Sequence, residues 1–399
     1  MSWIMPHDGT MSTHAVWRQV PTVLLVAGLA GAACGDDRSP EPPSSPPASE
    51  VITAADGTRF AVEVVFRNLD VPWSLAFAPD GRLFITERPG RVRIAQNGAL
   101  LAQAALTVSD AAPNGEAGVM GLALHPNFSS NRFVYVAYTA RAGGGGSVNR
   151  VVRYREAGNQ LGEPMVIVDN IGAANIHDGG RIRFGPDGKL YLTMGDAASP
   201  PVSQDLASLN GKILRMNDDG SLPGDNPFPA SFVYSLGHRN PQGIDWQPAT
   251  GELWGTEHGA TGNDELNRLL PGRNYGWPVI EANRTQAGME TPVLFYDPAI
   301  APSGLSFYAP AAGVTAIEGF RNNAFFATLR GTHLHRVIFN TDNPQTVRSE
   351  ERLLEGRFGR IRDVVSGPDG GIYFCTNNRD GRGTPTSDDD RVIRIIPAR

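Results

Sequence analysis

One phrase recurs along this chain and limits what it can fold into. "FAPDGRLFITERPGRVRI" begins at Phe77, "LHPNFSSNRFVYVAYT" at Leu124, "FGPDGKLYLTMGD" at Phe184 and "WQPATGELWGTEHG" at Trp246. "GFRNNAFFATLRGTHLHRVIF" begins at Gly319 and "SGPDGGIYFCTNNRDG" at Ser366. Each copy has an apolar approach, a turn built on Pro-Asp-Gly or a substitute, and then alternating apolar residues such as Leu190, Leu192 and Met194. Period two after a tight turn means paired antiparallel strands.

Six copies with no long amphipathic helical stretch between them predict an all-β chain, a six-bladed β-propeller of four-stranded antiparallel blades. A β-sandwich or barrel with similar short strands is the competing architecture, and the number of copies favours the propeller. The interval between the fourth and fifth copies is long, which predicts inserted loops on one face, where propellers usually bind ligands.

Four stretches carry candidate chemistry. "NIHDGGRIRF" places His177 just before Gly179 and Gly180. An imidazole can act as a general base near neutral pH, although a lone histidine is more often a hydrogen-bonded structural residue. "GHRNPQGI" groups His238, Arg239, Asn240 and Gln242, a set that suits either a polar anion or a self-satisfied turn. "TEHGATGNDELNRLLPGRNYGWP" is rich in hard oxygen donors, Glu257, Asn263, Asp264 and Glu265 among them, which fit calcium better than zinc. A solvated acidic loop is the bland account of that segment. In "EGRFGRIRDV", Arg360 and Arg362 share one face of a strand and need an anion or acidic partners.

A formal net charge of −6 gives no general attraction to phosphate backbones, which argues against a nucleic-acid partner. Two cysteines, Cys34 and Cys375, are too few for a disulfide framework, so the compartment must be read from the N-terminus. Arg18 precedes an apolar run from Val20 to Ala33, the pattern of a bacterial export signal over residues 1–33 and too short for a comfortable membrane span. Cys34 after "AGAA" predicts a lipid acceptor, with plain cleavage near Ala33 competing because Gly31 stands where Leu is usual. Residues 34–50 are Pro/Ser-rich and read as a tether, and the folded domain is expected over 51–399. The chain is therefore expected to be exported, as a periplasmic protein or a cell-envelope lipoprotein.

Taken as a set, "VPWSLAFAPDGRLFITERPGRV", "GLALHPNF", "HDGGRIRFGPDGKLYLTMGD", "GHRNPQGIDW" and "NDELNRLLPGRNYGWP" resemble the soluble glucose/sorbosone dehydrogenases that depend on pyrroloquinoline quinone (PQQ), the aldose sugar dehydrogenases included. The resemblance runs from about Asp56 to the C-terminus and implies a six-bladed propeller. It also implies PQQ and Ca2+ as cofactors and oxidation of the C1 hydroxyl of an aldose to a lactone, with a separate electron acceptor. By resemblance His177 is the general base and Arg239 stabilises charge on the quinone oxygen. Glu116, Arg239, Asn240, Arg330, Arg360 and Arg362 would hold the cofactor. The carbonyls of Gly259 and Ala260 would hold calcium beside it, and Glu265 with the Tyr275 carbonyl a second calcium. The chain departs from the glucose enzyme's pattern at Glu116 (Gln there), Ile176 (Asp), Ala260 (Pro) and Arg330 (Lys), and around "YDPAIAPSG" the aromatic and Thr contacts are missing. Glucose specificity is therefore not implied, and a broader aldose or alcohol range is. Two other functions share related propellers: binding only, as in the hedgehog-interacting proteins, and calcium-dependent lactone hydrolysis.

Overall fold

The structure, a computed structural model, describes residues 50–398. The expected export signal, the Cys34 lipid acceptor and all of the tether but its last residue, Glu50, lie outside the described residues.

The six phrases are six turns of one kind. In each, the backbone N–H that follows the innermost strand of a blade donates to a carbonyl at the start of its second strand: Ala78 to Arg82, His125 to Phe133, Gly185 to Lys189, Gln247 to Glu252, Tyr308 to Asn323 and Gly367 to Gly371. In the Pro-Asp-Gly copies the aspartate closes the turn. Asp187 accepts from Lys189 N at 3.0 Å and Asp369 from Gly371 N at 3.1 Å, while the glycine between them takes a positive φ that a side chain would resist.

Each turn joins two strands of a four-stranded antiparallel sheet. The innermost strands are Pro72–Phe77, Val119–Leu124, Ile182–Phe184, Pro241–Trp246, Pro302–Phe307 and Ile361–Ser366, in chain order from the first blade to the sixth. They pack side by side around a central axis to form the propeller. The ring is closed by sequence-distant pairing: Arg59–Phe66 joins the last blade antiparallel to Val392–Pro397, with Phe60 opposite Pro397, and Glu50–Thr53 adds an outer fifth strand.

Each interior blade face is covered by a neighbour, so the middle strands read as apolar runs rather than strict alternation. In Leu190–Met194, Leu190, Leu192 and Met194 pack against the second blade, and Tyr191 packs against the fourth. Six hydrophobic clusters result, one per blade interface. The seam between the last two blades, with Phe60, Phe320, Phe325, Leu334, Ile361 and Phe374, is the largest of them.

The long fourth interval splits in two. Residues 270–293 leave the turn end and climb beside the outer strand Val233–Leu236, through bonds from Gly272 N to Tyr234 O and from Tyr275 N to Leu236 O. They reach the opposite end of the ring, where Trp277 N donates to Gly237 O. Residues 308–323 stay at the turn end, where Tyr308 hydroxyl donates to Gly370 O. The expectation that the inserts share one face therefore holds only for the first, because the second is itself an enlarged turn between an innermost strand and its neighbour.

Candidate functional site

Innermost strands begin at the end of the ring away from these turns, and the predicted residues converge there. His177 sits on the connection entering Ile182–Phe184 with φ +63°, in the left-handed region that a side chain disfavours. The glycines around it make that path passable. A Cβ on Gly179 would meet Thr193 O at 2.7 Å, and one on Gly195 would overlap the His177 carbonyl. Backbone strain of this kind concentrates at functional sites.

The ring of His177 is held from one side. Its Nδ1 lies 2.7 Å from Asp196 Oδ1, and Asp196 is fully buried. The same carboxylate accepts from Ala198 N at 2.8 Å and from Trp277 Nε1 at 2.9 Å. A carboxylate on Nδ1 fixes the proton there and leaves Nε2 as the free acceptor. Sequence reading missed Asp196 and Trp277, though Asp196 ends the very phrase that His177 introduces.

Glu116 is the hub between His177 and the Arg239–Gln242 stretch. Its Oε2 accepts from His177 N at 3.2 Å, Asn240 Nδ2 at 3.1 Å and Gln242 Nε2 at 3.5 Å, and its Oε1 pairs with Arg382 Nη1 at 2.9 Å. Asn240 turns its Oδ1 to Gly179 N at 3.2 Å, so it braces the His177 connection as well. Arg239 lies over Trp277, 5.3 Å from the ring centroid, and donates to His258 O at 3.2 Å, while its buried Nε has no partner. His238, by contrast, is structural: it is fully buried, bonded to Ser235 and Glu257, and stacked on Tyr275.

The two arginines have different surroundings, and only Arg362 lies in the strand Ile361–Ser366, Arg360 standing just before it rather than on a shared strand face. Arg360 is clamped by Asp380 at 2.7 Å, the acidic partner that sequence reading did not find. Arg362 is buried without a carboxylate partner. It donates to Gln242 Oε1 at 2.6 Å, lies 5.7 Å from the Trp73 ring, and keeps an unpartnered buried Nε. Burial pushes its guanidinium down to about 9. The neighbouring Asp363 belongs to Arg181, at 3.1 Å. Arg330 sits exposed at the rim of a cleft of about 470 Å³ that also contains Arg357, Arg360, Arg382 and Arg391.

Next to Arg239 a narrow cleft is lined by Glu257, Gly259, Glu265, Tyr275 and Trp277. Three of the four oxygen-donor side chains noted in sequence, Glu257, Asp264 and Glu265, already accept hydrogen bonds. Glu257 holds His238 and Arg239 N, and Asp264 accepts from Gly259 N, Ile300 N and Ala301 N. Glu265 accepts from Ala282 N at 3.1 Å and Asn267 Nδ2 at 3.0 Å; burial, reinforced by Glu257, pushes its carboxyl up to about 8. Among the described residues, no hydrogen bond ends on the carbonyl oxygens of Gly259, Ala260 or Tyr275. The arrangement thus combines an oriented imidazole, guanidinium groups short of acceptors and carbonyl oxygens short of a cation.

Comparison with known proteins identifies the family. The family model described as Glucose / Sorbosone dehydrogenase matches residues 69–386. The structure of an oxidoreductase (glucose dehydrogenase) from Thermus thermophilus is 41% identical, covering 84% of this chain and all of that one, with a TM-score of 0.77. The PQQ-bound aldose sugar dehydrogenase of Streptomyces coelicolor is 35% identical over 85% of this chain and 98% of its own, with a TM-score of 0.75. Aldose sugar dehydrogenase YliI of Escherichia coli is 33% identical over 84% of this chain and 94% of its own. Mouse hedgehog-interacting protein matches only 47% of this chain. With the propeller, the ordered motifs and most of the chain's length in agreement, the chain belongs to the glucose/sorbosone dehydrogenase family.

Proposed function

We propose that this chain is an exported aldose dehydrogenase that oxidises the C1 hydroxyl of a sugar to the lactone, using PQQ and Ca2+, and passes the electrons to a separate acceptor. The observation that carries the reading is the His177–Asp196 pair, with its free Nε2, beside arginines that lack acceptors.

The residues present fit an anionic cofactor and a divalent ion. Unpartnered Nε atoms on Arg239 and Arg362 are what a carboxylate-bearing ligand would satisfy, since a buried donor left alone is costly. Arg239, Asn240, Glu116, Arg330, Arg360 and Arg362 would hold the cofactor, the Gly259 and Ala260 carbonyls an ion beside it, and Glu265 with the Tyr275 carbonyl a second ion. When bound, PQQ supplies an orthoquinone that accepts hydride, and calcium acts as a Lewis acid on its carbonyl.

The chain's own groups then have defined tasks. His177 Nε2 takes the proton of the C1 hydroxyl as hydride leaves C1, and the Asp196 carboxylate steadies the positive ring that forms. Arg239 presents a fixed cation where negative charge develops on an oxygen. Trp277 fixes Asp196 by its indole N–H, and Arg239 lies over its ring.

Two other readings are weaker. A binding-only role has little use for an imidazole oriented by a buried carboxylate. Lactone hydrolysis on a propeller axis uses a carboxylate-rich metal centre, whereas arginines dominate this face.

Dye reduction over a panel of aldoses, after reconstitution of the purified protein with PQQ and Ca2+, tests the proposal. Turnover that requires PQQ and falls by roughly two to four orders of magnitude in His177→Ala is expected. Turnover without PQQ, or an unaffected variant, overturns it.

A further inference from the structure

Glu116 sets a charge problem that its surroundings answer. The resemblance puts an uncharged Gln at this position; this chain has a carboxylate there, almost wholly buried, facing a site that collects arginines. The three donors on its Oε2, His177 N, Asn240 Nδ2 and Gln242 Nε2, are all uncharged. Burial alone would raise the carboxyl, yet its neighbours, His258 first and then Arg382 and Arg362, hold it down at about 2. Arg362 and Arg382 are the guanidinium groups that face it. Of these, Arg362 is committed to Gln242, and Arg382 touches the carboxylate directly.

Arg382 comes from far away in the fold. It lies on the loop between Ile372–Thr376 and Val392–Pro397 of the sixth blade, whereas Glu116 lies on the connection that enters the second. Their bridge spans the approach between the His177 connection and the arginine cleft. The loop is shaped for this reach: Asp380 Oδ1 accepts from Arg382 N at 2.8 Å, Gly381 takes φ +88°, and the same Asp380 clamps Arg360.

We propose that Arg382 is a positioning residue that makes Glu116 compatible with an anionic cofactor: it cancels the carboxylate's charge at the site and keeps that carboxylate accepting from His177 N and Asn240. The two residues are then a matched pair. Gln at 116 would turn an amide N–H toward the guanidinium, donor against donor, while Glu without Arg382 would leave a buried negative charge beside the ligand's carboxylates. This inference rests on the proposed PQQ site and adds the residue that balances its charge.

A double-mutant cycle on the full chain tests it, with the PQQ dissociation constant measured by absorbance titration in Ca2+ and kcat and KM measured alongside. Arg382→Gln should weaken PQQ by roughly tenfold or more and lessen its dependence on salt, because one cation fewer attracts the anion. In the Glu116→Gln background the same change should weaken PQQ by less than about threefold, because no carboxylate remains to neutralise. Arg382 is half exposed, so its variants should fold, and Arg382→Lys should recover part of the affinity. Equal weakening in both backgrounds would make Arg382 a simple cation of the clamp and overturn the pairing. A lowered Tm with unchanged PQQ affinity would make it structural and overturn it too. If the wild-type chain fails to bind PQQ, the cofactor reading itself fails and takes this inference with it.

Discussion

Replacing Asp196 by Asn preserves shape and removes one charge, and the surroundings dictate the outcome. Asp196 Oδ1 faces two donors, His177 Nδ1 at 2.7 Å and Ala198 N at 2.8 Å, and Oδ2 faces Trp277 Nε1 at 2.9 Å. An Asn has a single oxygen, and Trp277 and Ala198 can only donate. With the oxygen toward His177, the amide N–H opposes Trp277. With the oxygen toward Trp277, the amide opposes Ala198 N and donates to His177 Nδ1, which moves the imidazole proton to Nε2 and abolishes the base. The first arrangement still loses a charge-assisted hydrogen bond to the protonated ring, about 1.5–3 kcal/mol or roughly 10- to 150-fold in rate. The second loses general-base catalysis, roughly two to four orders of magnitude.

Asp196→Asn should therefore lower kcat by about 10- to 10⁴-fold, according to which way the amide turns, with PQQ affinity little changed. Trp277→Phe, which removes one neutral donor and keeps the carboxylate, should cost about tenfold or less at this step. Initial rates at saturating aldose, with cofactor occupancy checked spectroscopically, give the comparison. An Asp196→Asn enzyme within about threefold of wild type would refute the argument that Asp196 sets the tautomer of the base.

Other expectations come from different parts of the molecule. Gly195→Ala drives a Cβ into the His177 carbonyl and to 3.1 Å from Arg239 O, so kcat should fall about tenfold or more while the chain still folds, as judged by circular dichroism. Phe320→Ala empties a fully buried site packed 5.5 Å from Phe60 and 5.2 Å from Phe325, and should cost about 3–5 kcal/mol in denaturant unfolding. Burial lowers His333 from 6.5 to about 4, so the unfolded chain takes up a proton there that the folded chain refuses. Stability from this group is complete above pH 6.5 and falls, by up to about 3 kcal/mol, as pH drops toward 4; the difference in unfolding free energy between wild type and His333→Gln, followed from about pH 7 to 4.5, should show it.

What could be read from sequence was what local chemistry dictates. The turn phrase is legible because Pro, Asp and Gly set its backbone within a few residues, and counting those turns counted the blades. Ring closure was not legible, because Arg59–Phe66 and Val392–Pro397 meet across almost the whole chain and nothing in either strand names the other. The same divide runs through the site. His177, Arg239 and Asn240 sit on connections that a motif can mark. Asp196 reaches His177 because a second strand returns to the level where its innermost partner began, Trp277 arrives on a climbing insert, and Arg382 crosses from the last blade to a connection near the first. Sequence spacing did place Arg360 and Arg362 together, but it missed that Asp380, 20 residues beyond Arg360, satisfies only one of them.

That inequality says what the site is for. A chain under selection for stability alone gains nothing by burying Arg362 with an unpartnered Nε, since an apolar residue of similar size is commonly as stable or better there. Arg239 carries the same deficit, and His177 is held at a positive φ on a connection where Gly179 and Gly195 have no room for a Cβ. All three costs fall at one end of the ring, while the six blade interfaces are filled with apolar side chains. Buried cationic donors without acceptors, gathered beside an oriented imidazole, are the mark of a binding site whose missing partner is negatively charged. The deficit should be recovered when that partner arrives: an anion present at about a hundred times its dissociation constant adds about 2.7 kcal/mol to folding, so the propeller should melt higher with its cofactor than without it.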